Sequence, residues 1–443
     1  MKLWQKDITL DQQIEQFTIG KDQELDLQLA SFDVLGSLAH IQMLEKIDLL
    51  TKAELSLLQG ELQSIYMDIQ AGEFQIEAGI EDIHSQIEYL LTARLGEVGK
   101  KIHAGRSRND QVLVDLRLFF RSEIKTIAEL LRQVIQLLLK KSEASKNVLM
   151  PGYTHTQIGM LSSFGMWFGA FAESLIDDLH LLQSTYDIIN QNPLGSAAGY
   201  GSSFPLDRQL TTELLGFRDL NYNAMHAQMG RGKSELLLAF SLSSMGSTLN
   251  KLASDICLFS NQNFGFFELP EAFTTGSSIM PHKKNPDVFE LIRAKCNQLQ
   301  SLPTQVSMLT TNLISGYHRD FQLLKEQLFP ALQSMKACLT TAHLALSQIQ
   351  INPQILEDEK YNYLYSVEVV NAEVLHGMPF RDAYQKVGKS IAEGTFVKPD
   401  TVQHTHLGSI GNLGTAHIQS KLDALWKNFE FEILDLKLKL LLQ

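Results

Sequence analysis

The chain has 443 residues, 44% hydrophobic and 20% charged, with 28 Gly and 11 Pro, which are the proportions of a folded globular protein rather than a disordered or low-complexity one. A formal net charge of -12 excludes nucleic-acid binding as the main business of the surface, because a phosphate backbone calls for a basic field. No run of about eighteen apolar residues offers a membrane span, and a chain of this length is expected to form two or three domains.

The first residues, MKLWQKDITLDQQIEQF, mix both charges and lack the apolar run of a signal peptide, so a cytoplasmic location is expected. Patterns before residue 106 are short and broken by polar residues. From there apolar residues recur at steps of three and four in five long stripes. The first is Leu116, Phe120, Ile124, Ile127, Leu131, Val134, Leu138; the second runs from Phe164 through Phe168, Phe171, Leu175, Leu179, Leu182 and Tyr186 to Ile189. The third runs from Leu238 to Phe259, the fourth from Ile292 to Leu313 with a kink expected at Pro303, and the fifth from Phe321 to Ile349 with a bend or restart expected at Pro330.

This is the spacing of a helix bundle, and strand signals are nearly absent, so the fold class is all-α. Domains are placed at residues 1–106, 107–352 and 353–443, the last again helical. Extra apolar residues such as Leu236, Leu237 and Phe240 exceed what one core requires, and a homo-oligomer would cover them. Cys257, Cys296 and Cys338 are odd in number, far apart and set in apolar helical pattern, which predicts reduced thiols, no disulfide and no zinc site.

Unusual polar residues gather in the breaks between stripes. KIHAGRSRNDQV, residues 101–112, places Arg106 and Arg108 before a helix that Asn109 or Asp110 would cap; two guanidiniums so close suit a carboxylate ligand. MPGYTHTQ, residues 150–157, turns at Pro151-Gly152 and presents Thr154, His155 and Thr156, His155 being a candidate acid or base. NPLGSAAGYGSSFPLDR, residues 192–208, reads as a loop, and its glycines follow no strand, so no dinucleotide fingerprint is assigned.

TGSSIMPHKKNPD, residues 275–287, precedes a helix start near Pro286. Ser277, Ser278, Lys283, Lys284 and Asn285 then lie at the positive end of that helix, on a loop that Gly276 frees to move. SGYHRDFQLLKE, residues 315–326, sets Gln322 and Lys325 on one helical face beside Tyr317 and Arg319. For each of these stretches a solvated loop or face is the plainer alternative.

GSSIMPHKKNPD resembles the signature of the fumarase/aspartase superfamily, whose members eliminate fumarate from succinyl compounds. HAGRSRNDQV, PGYTHTQ and the run Tyr317, Asp320, Gln322, Lys325, Glu326 are similar to the argininosuccinate lyase family within it. His282 stands where that family carries glutamine, as in adenylosuccinate lyases. HAQMGRGKSE, residues 226–235, departs from the family's serine-x-arginine-aspartate run, with Arg231 in the arginine position. Thr18 in FTIGKD matches a substrate-contacting serine.

The resemblance implies a tetramer with a core of twenty helices, each active site built by loops of three subunits, and reversible cleavage of argininosuccinate to arginine and fumarate. It implies Ser277 as base, His155 as acid and Lys283 as the cation that stabilises charge, with the reverse assignment of Ser277 and His155 left open. Thr18, Arg108, Asn109, Thr154, Arg231, Asn285, Tyr317, Gln322 and Lys325 would bind substrate. Neither metal nor organic cofactor is implied. Adenylosuccinate lyase, another amine lyase of the superfamily, and a non-catalytic crystallin-like scaffold are the alternatives.

Overall fold

The structure, a computed structural model, describes residues 12–77, 79–402 and 404–443. Most of the stretch expected to lack a signal peptide therefore lies outside the described residues. Helices α1 (Gln12–Ile19), α2 (Ala30–Lys46), α3 (Lys52–Ala71) and α4 (Ile83–Leu95) lead into the long helix α5 (Arg108–Ala144). A hairpin of β1 (Leu149–Thr154) and β2 (Gln157–Ser163) follows, and then α6 (Phe164–Ile189), α7 (Lys233–Phe259), α8 (Asp287–Thr310) and α9 (Leu324–Gln348). The chain ends with α10 (Ser366–Leu375), α11 (Phe380–Ala392), α12 (Thr415–Trp426) and α13 (Phe431–Leu441).

Helix α5 spans 37 residues, about 55 Å at the α-helical rise. Its start differs from expectation. Ser107, not Asn109 or Asp110, is the N-cap: its hydroxyl accepts the Asn109 N–H at 3.3 Å, while Asp110 reaches back to the Ser107 N–H at 2.8 Å, a reciprocal capping box. The first two apolar stripes are buried throughout, as are the residues from Phe321 to Ile349 in the fifth. They pack α5 against α6 and α9, and α7 against α6 and α8, around one core. Pro303 and Pro330 sit inside continuous helices α8 and α9, so the fifth stripe does not restart. Packing along the buried flanks outweighs the roughly 3 kcal/mol that an internal proline costs.

The five long helices share two ends. At one end α5 starts, where Asp110 accepts the N–H groups of Gly195 and Ala197 beyond α6; Arg117 donates to the Ile188 carbonyl; and Gly232 lies against Thr310 and Phe321. At the other end Lys141 donates to the Ile349 carbonyl and Phe164 packs edge-on against Phe267. There a Cβ on Gly165 would stand 2.6 Å from the Ser142 carbonyl oxygen, so only glycine lets α5 and α6 approach so closely. Helices α6 and α7, with 26 and 27 residues, hold the two ends about 40 Å apart.

Helices α2 to α4 form a second core, which Leu194, Leu215, Phe217 and, from α13, Leu441 complete. A small third cluster gathers Val370, Ala383 and Val387. Among the described residues no helix is long and apolar enough to cross a membrane. Cys296 and Cys338 are buried, Cys257 half-buried, and all three are free thiols.

Candidate active site

The predicted residues fall into three groups. The first is at the end of the bundle where α5, α7 and α9 start, around a cavity of about 140 Å³ lined by charged side chains. Arg108, on the first turn of α5, faces Glu81 and Asp82 at 3.2 Å each and donates to Ser85 Oγ at 2.6 Å. Asp82 is in this place because it caps α4, accepting the Ser85 N–H. The His84 and Arg108 charges outweigh its burial and hold its carboxyl below the usual range. Lys325, buried on the first turn of α9, sits 2.6 Å from Asp22 and 2.5 Å from Asp26, at the two ends of a single turn of helix, Asp22–Asp26.

Gln322 donates to the carbonyls of Thr18 and Ile19 at 3.1 and 2.9 Å, and Arg319 donates to the Thr18 carbonyl and to Glu81 at 2.8 Å. Thr18 thus meets this group through its backbone, and its hydroxyl donates to the Ile14 carbonyl. Asn109 and Tyr317 line the cavity too. Arg231 is buried, with Nε 2.9 Å from Glu235 and Nη2 donating to the Phe321 carbonyl at 3.0 Å, so it also pins the turn that carries Arg319 and Gln322. In the run that departs from the family around Arg231, Glu235, four residues on, is the carboxylate that faces it.

The second group is the hairpin, which the sequence did not announce as strands. Thr154 pairs with Gln157, so the turn is His155-Thr156, and Pro151-Gly152 lies within β1, where the register shifts. Both turn residues are left-handed, with φ of 52° for His155 and 58° for Thr156. Such a turn matches strand twist but favours Asn-Gly; a β-branched threonine there is strained. Tyr153 anchors the hairpin through ring contacts with Phe259, Phe264 and Phe266 and a 3.3 Å bond to the Tyr361 hydroxyl. The tip, with Thr154 and His155, is exposed.

The third group is the loop between α7 and α8. Its neck is closed by Thr275 and Asn285: the Asn285 N–H donates to the Thr275 carbonyl at 2.9 Å and its side-chain amide to Thr275 Oγ1 at 3.3 Å, while Asp287 accepts from the Thr275 hydroxyl. Asn285 therefore braces the loop. Within it, Ser277 Oγ accepts the N–H groups of Ile279 and Met280 at 3.3 and 3.2 Å. Lys283 and His282 are exposed, and Lys284 faces Glu268 and Glu271 at 3.7 and 3.5 Å.

Hairpin and loop belong to the end of the bundle opposite the charged cavity. One chain therefore brings Thr18, Arg108, Asn109, Arg231, Tyr317, Gln322 and Lys325 together and leaves Thr154, His155, Ser277, Lys283 and Asn285 about a helix length away. Sequence reasoning missed the acidic half of the cavity, Asp22, Asp26, Glu81 and Asp82, along with His84. The one local signal was EDIH, residues 81–84, at the start of α4.

An all-α bundle of this connectivity, with an Ser/Lys loop at one end and a ring of paired charges at the other, defines a lyase of the fumarase/aspartase kind. A family model described as Lyase matches residues 5–301. Among solved structures, a variant of EDDS lyase with bound fumarate aligns with a TM-score of 0.79 at 22% identity, covering 96% of this chain and 94% of that one. A class II fumarase from Schistosoma mansoni aligns at 0.72 and 17%, covering 94% of each; these likenesses speak for the fold. Curated relatives speak for the family. Argininosuccinate lyase of Parabacteroides distasonis is 57% identical over 97% of both chains, that of Bacteroides fragilis 58% over 97% of this chain and 96% of its own, and that of Thermotoga neapolitana 40% over 88% and 98%. The chain belongs to the argininosuccinate lyase family.

Proposed function

We propose that this protein cleaves argininosuccinate reversibly into arginine and fumarate, in active sites that three protomers of a cytoplasmic homotetramer build together. Full-length identity above one half to argininosuccinate lyases carries the reaction. The distance between the charged cavity and the two catalytic segments supports the assembly, since within one chain they cannot touch the same substrate. The polar breaks that the long helices hold apart in one chain then meet across protomers, each of which we divide into domains 1–106, 107–352 and 353–443.

Elimination begins with loss of a proton from the carbon next to a carboxylate, which leaves a dianion that needs preorganised positive charge. Ser277 as alkoxide takes that proton. Its oxygen already receives two backbone N–H groups, the donors that stabilise an oxyanion, and Lys283 on the same loop adds a cation for the alkoxide and the dianion. As the carbon–nitrogen bond breaks, His155 delivers a proton to the departing guanidino nitrogen, and fumarate and arginine result. Thr154, Asn109, Tyr317, Gln322 and Lys325 hold the substrate, with Arg108 and Arg231 shaping the charged wall. Side chains and the backbone N–H groups of the loop supply the charge stabilisation of this scheme.

The test is the ultraviolet absorbance of fumarate after mixing purified protein with argininosuccinate, with adenylosuccinate, malate and aspartate in parallel. A rise with argininosuccinate alone supports the reading; a rise with adenylosuccinate alone would give His282 the deciding weight, and silence with all four would leave a scaffold without this chemistry.

A further inference from the structure

Behind the charged cavity three buried side chains from three helices meet: Asp33 on α2, His84 on α4 and Asp115 on α5, with their nitrogen and carboxylate oxygen atoms within 4.8 Å of one another. His84 Nδ1 donates to Asp33 Oδ2 and lies 3.5 Å from Asp115 Oδ2. Arg106 stands beside them, its Nη1 donating to Ser37 Oγ at 2.9 Å, and contributes positive charge to the cluster. A guanidinium in that position opposes a bound cation and suits a network that shares protons.

Burial works against a charge on His84, but Asp33 beside it, with Asp82 and Asp26 further off, raises its pKa. Burial works equally against Asp33, whose carboxyl His84 and Arg106 nevertheless lower, whereas burial and Asp33 together push Asp115 well above the carboxylate range. The shifts thus favour the charged forms of His84 and Asp33 and disfavour ionisation of Asp115.

With Nδ1 committed to Asp33, the ring has one donor left. Among the described residues Nε2 is buried without a hydrogen-bond partner. His84 lines the cavity, whereas Asp33 and Asp115 do not. The other charged lining groups already face opposite charges: Asp22 and Asp26 face Lys325, Glu81 faces Arg108 and Arg319, Asp82 faces Arg108, and Arg231 faces Glu235. Among the described residues, His84 Nε2 is the buried nitrogen on this wall with neither a hydrogen bond nor an ionic partner. A buried donor left unpaired is costly, and an occupant that accepts its proton relieves that cost.

We propose that His84 binds the substrate directly: its Nε2–H donates to a carboxylate of the succinyl or amino-acid part, and Asp33 and Asp115 are positioning residues that fix the ring. This rests on the reading of the cavity as part of a site for argininosuccinate. The experiment is steady-state cleavage by wild type, His84→Gln and Asp33→Asn, with inhibition by fumarate and by arginine measured on each and folding followed by thermal melting.

An inactive wild type would remove the underlying reading and this one with it. With an active wild type, His84→Gln raises KM about tenfold or more with a smaller change in kcat, and weakens inhibition by fumarate, by arginine or by both, according to which carboxylate the ring holds. Asp33→Asn, which releases the ring but leaves it present, shifts KM in the same direction and keeps the test open if His84→Gln does not fold. Unchanged KM and unchanged inhibition by both products, in variants that melt lower, would make the cluster a structural pin and overturn the proposal.

Discussion

Lys325 Nζ lies 2.5 Å from Asp26 Oδ1, an ion pair that joins residues 299 apart in sequence and closes the wall of the charged cavity. Burial disfavours the ammonium, yet Asp26 and Asp22 together raise the Lys325 pKa. Lys325→Met removes the ammonium that both carboxylates face and leaves the two facing each other. Loss of one partner of a buried pair costs about 3–5 kcal/mol. Denaturant unfolding of Lys325→Met should show a loss of that order, together with loss of turnover; an unchanged midpoint would mean that water reaches the pair.

Asp22 belongs to the same trio. Burial, reinforced by Asp26, raises its pKa to about 6 in spite of Lys325. A carboxyl whose folded pKa lies above its unfolded value of 3.8 binds its proton more tightly when folded. Its contribution is therefore present at low pH and lost as pH rises from about 4 to about 6. Asp22→Asn keeps the neutral form at every pH, so the difference in stability between the variant and wild type should grow in the variant's favour across that window. A constant difference from pH 4 to 7 would place the Asp22 pKa at its ordinary value.

The left-handed pair at the hairpin tip predicts opposite effects on stability and activity. A non-glycine residue held in a sparsely populated conformation stores about 1–3 kcal/mol, and Thr156, branched at Cβ, sits at φ 58°. Thr156→Gly should stabilise by about 1 kcal/mol once the entropy of glycine in the unfolded chain is counted. His155→Gly relieves similar strain but deletes the proposed acid, so turnover should fall by about 100-fold or more. Thermal melting and the fumarate assay on the two variants separate strain from chemistry.

Ser277→Ala removes the proposed base and keeps the loop's neck at Thr275, Asn285 and Asp287 intact. Turnover should drop about 1000-fold or more, while calorimetric binding of argininosuccinate persists. Turnover near wild type would take Ser277 out of the mechanism.

The five stripes were legible because helical periodicity is a local property: each apolar residue repeats within one turn of the next. The Ser/Lys loop was legible for a similar reason, its odd composition standing inside thirteen consecutive residues. The hairpin was not, because Thr154-His155-Thr156-Gln157 contains no Asn-Gly and its turn is imposed by strands that Tyr153 holds against the Phe259, Phe264 and Phe266 rings. Ser107 was passed over as a cap because Asn109 and Asp110 are equally good formers, and only the geometry shows Asp110 serving as the second half of the box. The acidic half of the cavity was hidden for a stronger reason. Asp22 and Glu81 become neighbours of Lys325 and Arg319 only when the segments ahead of α2 and α4 are brought to the start of α9, and no local pattern records that.

The separation of the clusters leads to a last prediction, on mixed assemblies. Asn109 lines the charged cavity at one end of the bundle, and Ser277 lies on the loop at the other, about 40 Å away along α6 and α7. If each site takes its cavity from one protomer and its loop from another, Asn109→Ala and Ser277→Ala spoil different contributors. Either parent assembly then has every site damaged. When the two proteins are unfolded together and refolded at equal concentration, random assortment gives an intact cavity facing an intact loop in about a quarter of the sites. Activity near a quarter of wild type should therefore return from two parents that are each nearly inactive. Were the site contained within one chain, mixing would restore nothing, and the mixture would stay at the mean of its parents.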